Sequence, residues 1–447
     1  MKTEKTYIKR IIDSELEKWS KDIDRKPLLL RGARQVGKSS SVRHLAKLFP
    51  YFLEINFEKN KNVRKVFSEG NLSPQRLCSQ LSAICNIPVI PGKTLLFFDE
   101  IQACLPAISS LRFFYEDYPE LHVIAAGSLL EFALEVLPSF GVGRIRSLFM
   151  YPFSFAEFLG ACRCDLLLEV IEESNVENPL HEVIHRKALE HLREFLIIGG
   201  MPEVVATYAS GKDLHQCQRV LDDLNISLRN DFAKYKQRIL PLQISTVFDM
   251  VSKQVGKKFV FSKSGQEYSH YQLKQALETL KMAGLVIPVV HTAATGIPLG
   301  AQINPQKQKM LLLDTGILQR LQNLQLSDIL LNSDFNFVNK GSIAELFVGL
   351  ELLKASSCYT QQGLYYWQRE KPGSLAEVDY VIQKNEAIIP IEVKSGTTGA
   401  MQSLHLFLKE KNIACGVRTS LENFAQYGAI KVIPLYAISH VLKKEFI

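Results

Sequence analysis

Short, wholly apolar runs alternate along the chain with longer stretches in which apolar residues recur every three or four positions. Leu28-Leu29-Leu30, the run Thr94 to Phe98 and Val123-Ile124-Ala125-Ala126 each read as a buried strand, and the first is followed, after one glycine-bearing loop, by the helical pattern SSSVRHLAKLF. Residues 165 to 235 are dense in helix formers, with Leu189, Leu192 and Leu196 on one stripe, and predict a small helical bundle. From 240 to 305 the pattern becomes helix, short strand, helix, strand. There Leu273, Ala276, Leu277 and Leu280 form the buried stripe of a helix that Ser269 can cap and Gly284 can end. The last third carries the apolar run Leu311-Leu312-Leu313, the helical GSIAELFVGLELLKA, the strand Tyr365-Tyr366-Trp367, and two strands around a turn at Asn385-Glu386.

Composition changes this picture little. Hydrophobic residues are 47% and charged residues 22% of 447, which fits about three folded domains of ordinary size and excludes a disordered chain. The charged N-terminus offers no leader pattern and no stretch of 18 apolar residues occurs, so the expectation is a cytoplasmic protein without a membrane partner. Eight scattered cysteines read as reduced thiols, with Cys162 and Cys164 the one close pair. The net charge of +7 tilts the chain toward polyanions.

The first chemistry lies directly after the first strand. GARQVGKS, Gly32 to Ser39, places glycines where the backbone must curl so that successive N–H groups point at phosphate, and a helix N-terminus adds its dipole. Gly32, Ala33, Arg34, Gln35, Val36, Gly37, Lys38, Ser39 and Ser40 are the expected ATP-binding residues. Within that set Lys38 reaches the β and γ phosphates and Ser39 holds Mg²⁺. The run ending in Asp99-Glu100 supplies the matching acids, Asp99 for Mg²⁺ and Glu100 as general base toward water. Ser128, after the next strand, is the candidate sensor of the γ-phosphate. Arg144 and Arg146 are the candidates for neutralising the transferred phosphoryl group, from the same chain or across a subunit interface of a homo-oligomer. A decoy lies in HEVIHRKALEHLREF: its His181, Glu182 and His185 match a zinc-protease spacing, but it sits in a charged amphipathic helix with no third ligand in view.

The motifs GARQVGKS, LFFDEIQ, AAGSLLEF, GR…YPFSFAEFL, GGMPE, LLDTGIL and EVDYV…IEVKSG together resemble prokaryotic AAA+-type ATPases with an appended uncharacterised C-terminal domain. The resemblance implies an α/β protein in four parts. A P-loop parallel-sheet ATPase core (1–164), with an extra strand between the P-loop strand and the strand of Asp99, is followed by a helical lid (165–239). A winged-helix-like segment (240–305) and a restriction-endonuclease-like C-terminal α/β domain (306–447) complete it. Lys253, Lys257, Lys258, Lys263, Lys274 and Lys281 make the winged-helix segment basic, as DNA phosphate contacts require. In the endonuclease-like fold a helix acid, a strand Asp and a strand Glu-x-Lys converge on Mg²⁺. The matching positions are Glu345, Asp379, Glu392 and Lys394.

The hairpin can be placed by arithmetic. With its turn centred on Asn385-Glu386, antiparallel partners have numbers summing to 771, so Asp379 faces Glu392 while Lys394 shares their side of the sheet. Two facing carboxylates repel unless a cation lies between them. The competing arrangement pairs Glu377 with Lys394 across a solvated face. Two functions follow: an ATP-hydrolysing, DNA-associated protein coupled to a Mg²⁺-dependent nuclease-like domain, or an ATP-dependent switch or scaffold that binds a partner protein without cutting.

Overall fold

The computed structural model describes residues 7–68, 72–137, 141, 143–235, 238–261, 268–324, 340–370, 376–397 and 399–443. Lys263 lies outside them. The chain divides into two compact units, one of residues 1–151 with 357–361 and one of residues 152–356 with 362–447. The boundaries expected at 164, 239 and 305 all fall inside the second unit.

Five parallel strands form the centre of the first unit: β1 (Leu28–Arg31), β2 (Tyr51–Asn56), β3 (Thr94–Asp99), β4 (His122–Ala126) and β5 (Arg146–Phe149). Their order is β2-β3-β4-β1-β5, so β4 separates the P-loop strand β1 from β3, as the resemblance implied. The apolar runs are buried because helices such as Pro74–Cys85 and Leu105–Asp117 pack against the sheet. Leu53, Phe98, Leu111, Phe114 and Val123 meet in one core. Parallel strands end on one edge, and that edge carries the loop after β1 and the acids after β3.

The second unit holds an eight-stranded mixed sheet: β6 (Val286–Thr292), β7 (Ile303–Leu312), β8 (Leu364–Gln368), β9 (Glu377–Lys384), β10 (Ala387–Val393), β11 (Gly416–Ser420), β12 (Ala425–Tyr427) and β13 (Ile430–Pro434). The order β12-β13-β11-β10-β9-β8-β6-β7 joins strands from both sides of residue 305. The strands of the 240–305 segment thus do not form a separate module: β6 pairs with β7 on one side and with β8 on the other. The helix His270–Met282 starts on a capping box of Ser269 and Gln272, and Gly284 follows it at φ 70°.

Two motifs meet inside this unit. Asp314 accepts hydrogen bonds from the Gly200 N–H at 2.6 Å and the Ile317 N–H at 3.0 Å, so GGMPE and LLDTGIL are joined through one buried carboxylate that also caps the helix Thr315–Leu321. The protease-like histidines have structural duties. His181 caps the helix Glu182–Ile198, and the ring nitrogens of His185 lie 2.7 Å from Tyr436 Oη and 3.2 Å from the Leu421 carbonyl. Among the described residues no helix is long and apolar enough to cross a membrane.

Candidate functional site

The loop after β1 is shaped by its backbone. Gly32 has φ 141° and lies so close to the chain at Met150 that a Cβ would come within 2.1 Å of the Met150 carbonyl oxygen; any side chain would push the two segments apart. Gln35 and Gly37 are also left-handed, turning the loop back on itself before the helix Lys38–Leu45 begins. The Val36 carbonyl accepts from Arg10 Nη1 at 2.9 Å, while Ser40 is exposed on the first helical turn.

Lys38 is buried at the centre of this loop, and its Nζ donates to the carbonyls of Gly32 (2.9 Å) and Ala33 (2.8 Å). Burial lowers its pKa to about 8, against the nearby charges of Glu100 and Asp99, which raise it. Substituting Lys38 with Ala is expected to weaken ATP binding by about 10- to 100-fold, as the loss of a charged hydrogen bond worth about 1.5–3 kcal/mol implies. Titration calorimetry that finds unchanged ATP affinity would refute the loop's role.

Ser39 Oγ donates to Asp99 Oδ1 at 2.9 Å, so the hydroxyl and the carboxylate expected to share Mg²⁺ already touch. A hydroxyl beside a carboxylate is a donor pair that a small oxygen-seeking cation can take, and Ser39 and Asp99 are the residues that would hold one. Asn56, whose position pairs with Asp99 between β2 and β3, donates Nδ2–H to Asp99 Oδ2 at 2.9 Å. Burial raises the Asp99 pKa, and the hydrogen bonds from Ser39 and Asn56 oppose it. Glu100 follows in the left-handed region at φ 50°, turned off the strand end. Its Oε2 accepts from Gln102 Nε2 at 2.7 Å and from Ser128 Oγ at 3.5 Å, so the candidate sensor lies beside the candidate base. Gly127 makes room for this: a Cβ there would stand 2.1 Å from Gln102 Oε1. Neither Asn56 nor Gln102 was among the expected site residues: Asn56 belongs to no motif, and Gln102, the last residue of LFFDEIQ, has no charge to mark it. The only signal for Asn56 is that it ends a strand parallel to β3.

The arginines are placed otherwise. Arg146 lies in β5 beside Leu28, at the start of β1, roughly 10 Å along the strand from the loop end at about 3.3 Å per residue. It faces Asp22 at 3.5 Å, and Arg144 pairs with Glu116. Within this unit neither is brought to Lys38 through these contacts.

In the second unit the β9–β10 ladder runs from Lys384–Ala387 to Tyr380–Ile391, every pair summing to 771, and the next step sets Asp379 against Glu392. Asp379 Oδ2 accepts the Val393 N–H at 2.8 Å, and Lys394 Nζ lies 2.7 Å from Glu392 Oε1. Glu377 does not pair with Lys394. It lies 2.6 Å from a lysine that no motif had marked, Lys309 of β7.

Lys309 is fully buried, and its Nζ also reaches Glu345 Oε1 at 2.7 Å and Asp379 Oδ1 at 3.7 Å, with the Tyr366 ring 5.2 Å away. Glu345 comes from the helix Lys340–Ala355 and is itself buried. Burial disfavours the Lys309 ammonium, but Glu345, Asp379 and Glu377 outweigh it and raise its pKa above the ordinary lysine value. Burial likewise pushes Glu345 up to about 8 against the pull of Lys309, and Glu392 up to about 7 with Asp379 adding to the rise.

Four carboxylates therefore face two ammonium groups. The expected convergence of Glu345, Asp379 and Glu392 on a metal is corrected in part: Asp379 and Glu392 face each other, whereas Glu345 is turned to Lys309. Among the described residues no three His, Cys, Asp or Glu side chains are grouped to hold a metal ion. Glu392 Oε2 stays buried without a hydrogen-bond partner.

Residues 24–159 match the family described as "AAA domain", residues 189–328 a domain of unknown function (DUF8612), and residues 340–438 another (DUF4143). No curated protein sequence matches the chain. Among solved structures, a Walker-type ATPase of Pyrococcus abyssi is similar at 16% identity and a TM-score of 0.47, over 71% of this chain and 96% of that one. PCH-2 of C. elegans is similar at 14% identity and a TM-score of 0.23, over 60% of this chain and 66% of that one. With the loop, its two acids and the AAA-domain match in hand, the chain is a P-loop ATPase that binds ATP.

Proposed function

We propose that ATP hydrolysis in the first unit governs a Mg²⁺-dependent, nuclease-like site in the second, and that the protein acts in association with DNA. The observation that carries this reading is the facing pair Asp379 and Glu392 with Lys394 alongside and the buried Glu392 Oε2 unpartnered. An orphaned carboxylate oxygen beside a second carboxylate fits a divalent cation, which would supply Lewis acidity toward a phosphodiester. Asp379 and Glu392 would hold the ion, and Lys394 would orient the hydrolytic water. Exposed Lys253, Lys257, Lys258 and Lys274 offer phosphate contacts. Arg144 or Arg146 would serve as a finger only from a neighbouring copy in an oligomer. Purified protein given ATP, Mg²⁺ or Mn²⁺ and DNA is expected to nick or cleave it, and Asp379→Ala to reduce that cleavage about 100-fold or more. Failure to bind or cut any DNA under these conditions would sink the proposal.

One observation favours the second reading. The Lys309 ammonium already satisfies Glu345, Glu377 and much of the field around Asp379 without a metal. A switch that binds a partner protein needs nothing more from this cluster than rigidity. ATP-dependent capture of a partner that persists in Asp379→Ala and Lys394→Ala would favour it.

A further inference from the structure

We propose that Cys164 is a nucleophilic thiol served by His191 and oxidised by hydroperoxides, making the turn between the helices Phe155–Ala161 and Asp165–Glu173 a modification site. Cys164 Sγ lies 3.6 Å from both His191 Nε2 and the Cys162 carbonyl oxygen, of which only the imidazole can take the proton away, and His191 Nδ1 lies 2.9 Å from Glu194 Oε2. A carboxylate can only accept, so the Nδ1 proton points to Glu194 and the Nε2 lone pair faces the thiol. Thiol, imidazole and carboxylate in this sequence are the arrangement that takes a proton from sulfur. The imidazole is buried and fixed on the helix Glu182–Ile198, three residues before Glu194. Burial pushes the Glu194 carboxyl up, but the hydrogen bonds from His191 and Tyr208 outweigh it and keep it below the ordinary value, hence ionised.

Cys164 is also the N-cap residue of the nine-residue helix Asp165–Glu173, which fixes its backbone beside His191. The thiol is half-buried and so within reach of a small oxidant. Its neighbour Cys162 is in a different setting: burial first, and Cys164 beside it second, push its pKa up to about 12, so it stays a protonated thiol. Among the described residues Cys164 is the cysteine with an imidazole at hydrogen-bond distance. Neither this site nor its chemistry draws on the reading of the C-terminal cluster.

The reaction balances simply. The Cys164 proton passes to His191 Nε2 while the sulfur electron pair attacks the terminal oxygen of the hydroperoxide. An S–O bond forms as the O–O bond breaks, and the departing oxyanion takes the proton from His191 and leaves as alcohol, or as water from hydrogen peroxide. Sulfur is oxidised by two electrons to the sulfenic acid, and the peroxide is reduced.

The test treats the full-length protein with hydrogen peroxide, traps sulfenic acid with dimedone and maps adducts by peptide mass spectrometry. Cys164 is expected to react about tenfold or more faster than Cys162 and the comparably half-buried Cys415, because it is the one of the three with an imidazole beside the sulfur to take its proton during attack. His191→Asn is expected to slow Cys164 by about tenfold while Cys415 is unchanged. The buried Cys217 serves as an internal monitor of unfolding. If His191→Asn exposes Cys217, Glu194→Gln takes its place, keeping an acceptor for the ring N–H while removing the charge that steadies the imidazolium. Equal rates at Cys164 and Cys415 in the unaltered protein, or an unchanged Cys164 rate in a folded variant, would overturn the proposal.

Discussion

Replacing Lys309 with Met is expected to lower the unfolding free energy of the second unit by about 3–5 kcal/mol at neutral pH, the usual cost of removing one partner from a buried ion pair. The side chain is nearly isosteric, so little packing is lost. What remains is Glu345, Glu377 and Asp379 around a place that no longer holds a cation. The loss should depend on pH in a definite direction. Glu345 and Glu392 keep their protons in the folded unit well above the ordinary carboxyl value of 4.5, up to about 8 and about 7, so between those limits folding takes up protons. The stability they contribute is therefore full below the ordinary carboxyl pKa and is lost as pH rises through that window. Lys309 lowers the Glu345 pKa, so its removal widens the window, and Lys309→Met should be penalised more near pH 8 than near pH 5. The two tryptophans are divided between the units, so a Trp19→Phe background leaves Trp367 to report urea unfolding of the second unit alone. A midpoint that is unchanged by Lys309→Met, or that is lower near pH 5 than near pH 8, would show that Lys309 does not neutralise the cluster.

Glu100→Gln should separate ATP binding from hydrolysis. The amide keeps the shape of the side chain and an oxygen for the Gln102 and Ser128 hydrogen bonds, but it cannot take a proton from water. Phosphate release is expected to fall by about 10²–10⁴-fold, the usual contribution of a positioned base, while ATP affinity changes by no more than a few-fold. Hydrolysis within threefold of the unaltered protein would remove Glu100 from the role of base and turn attention to another group on the same sheet edge.

Local signals were legible in the sequence where period and spacing carry the information. The four apolar residues before Asp99, the Gly32–Ser39 loop and the Asn385-Glu386 turn each announce an element whose geometry follows from the chain itself. The two-residue period of a strand then fixes Asp379 against Glu392 without any tertiary knowledge. What could not be read is what a distant strand contributes. Lys309 belongs to β7, which reaches the cluster only because β6 and β8 pair in parallel and carry that hairpin to the edge of the sheet. Its one local hint is that it shares a strand face with the buried Leu311, two residues on, where a lysine head group must find carboxylates. Asn56 was hidden for the same reason, since its partner Asp99 is set by sheet order, whereas Gln102 meets Glu100 through a local turn that has no residue pattern of its own. Arg146 shows the converse: its spacing before a strand suggested the nucleotide, but the register with β1 puts it at the strand's other end.

The joining of β6 and β7 to β8 bears on how such chains can be rearranged by descent. A module that can be exchanged between proteins must end where few hydrogen bonds cross its border, and residue 305 is not such a place: cutting there would split a hairpin and strip β8 of its parallel neighbour. The last third of the chain thus shares one sheet with the hairpin that precedes it, whereas all five strands of the ATPase sheet lie before Tyr151.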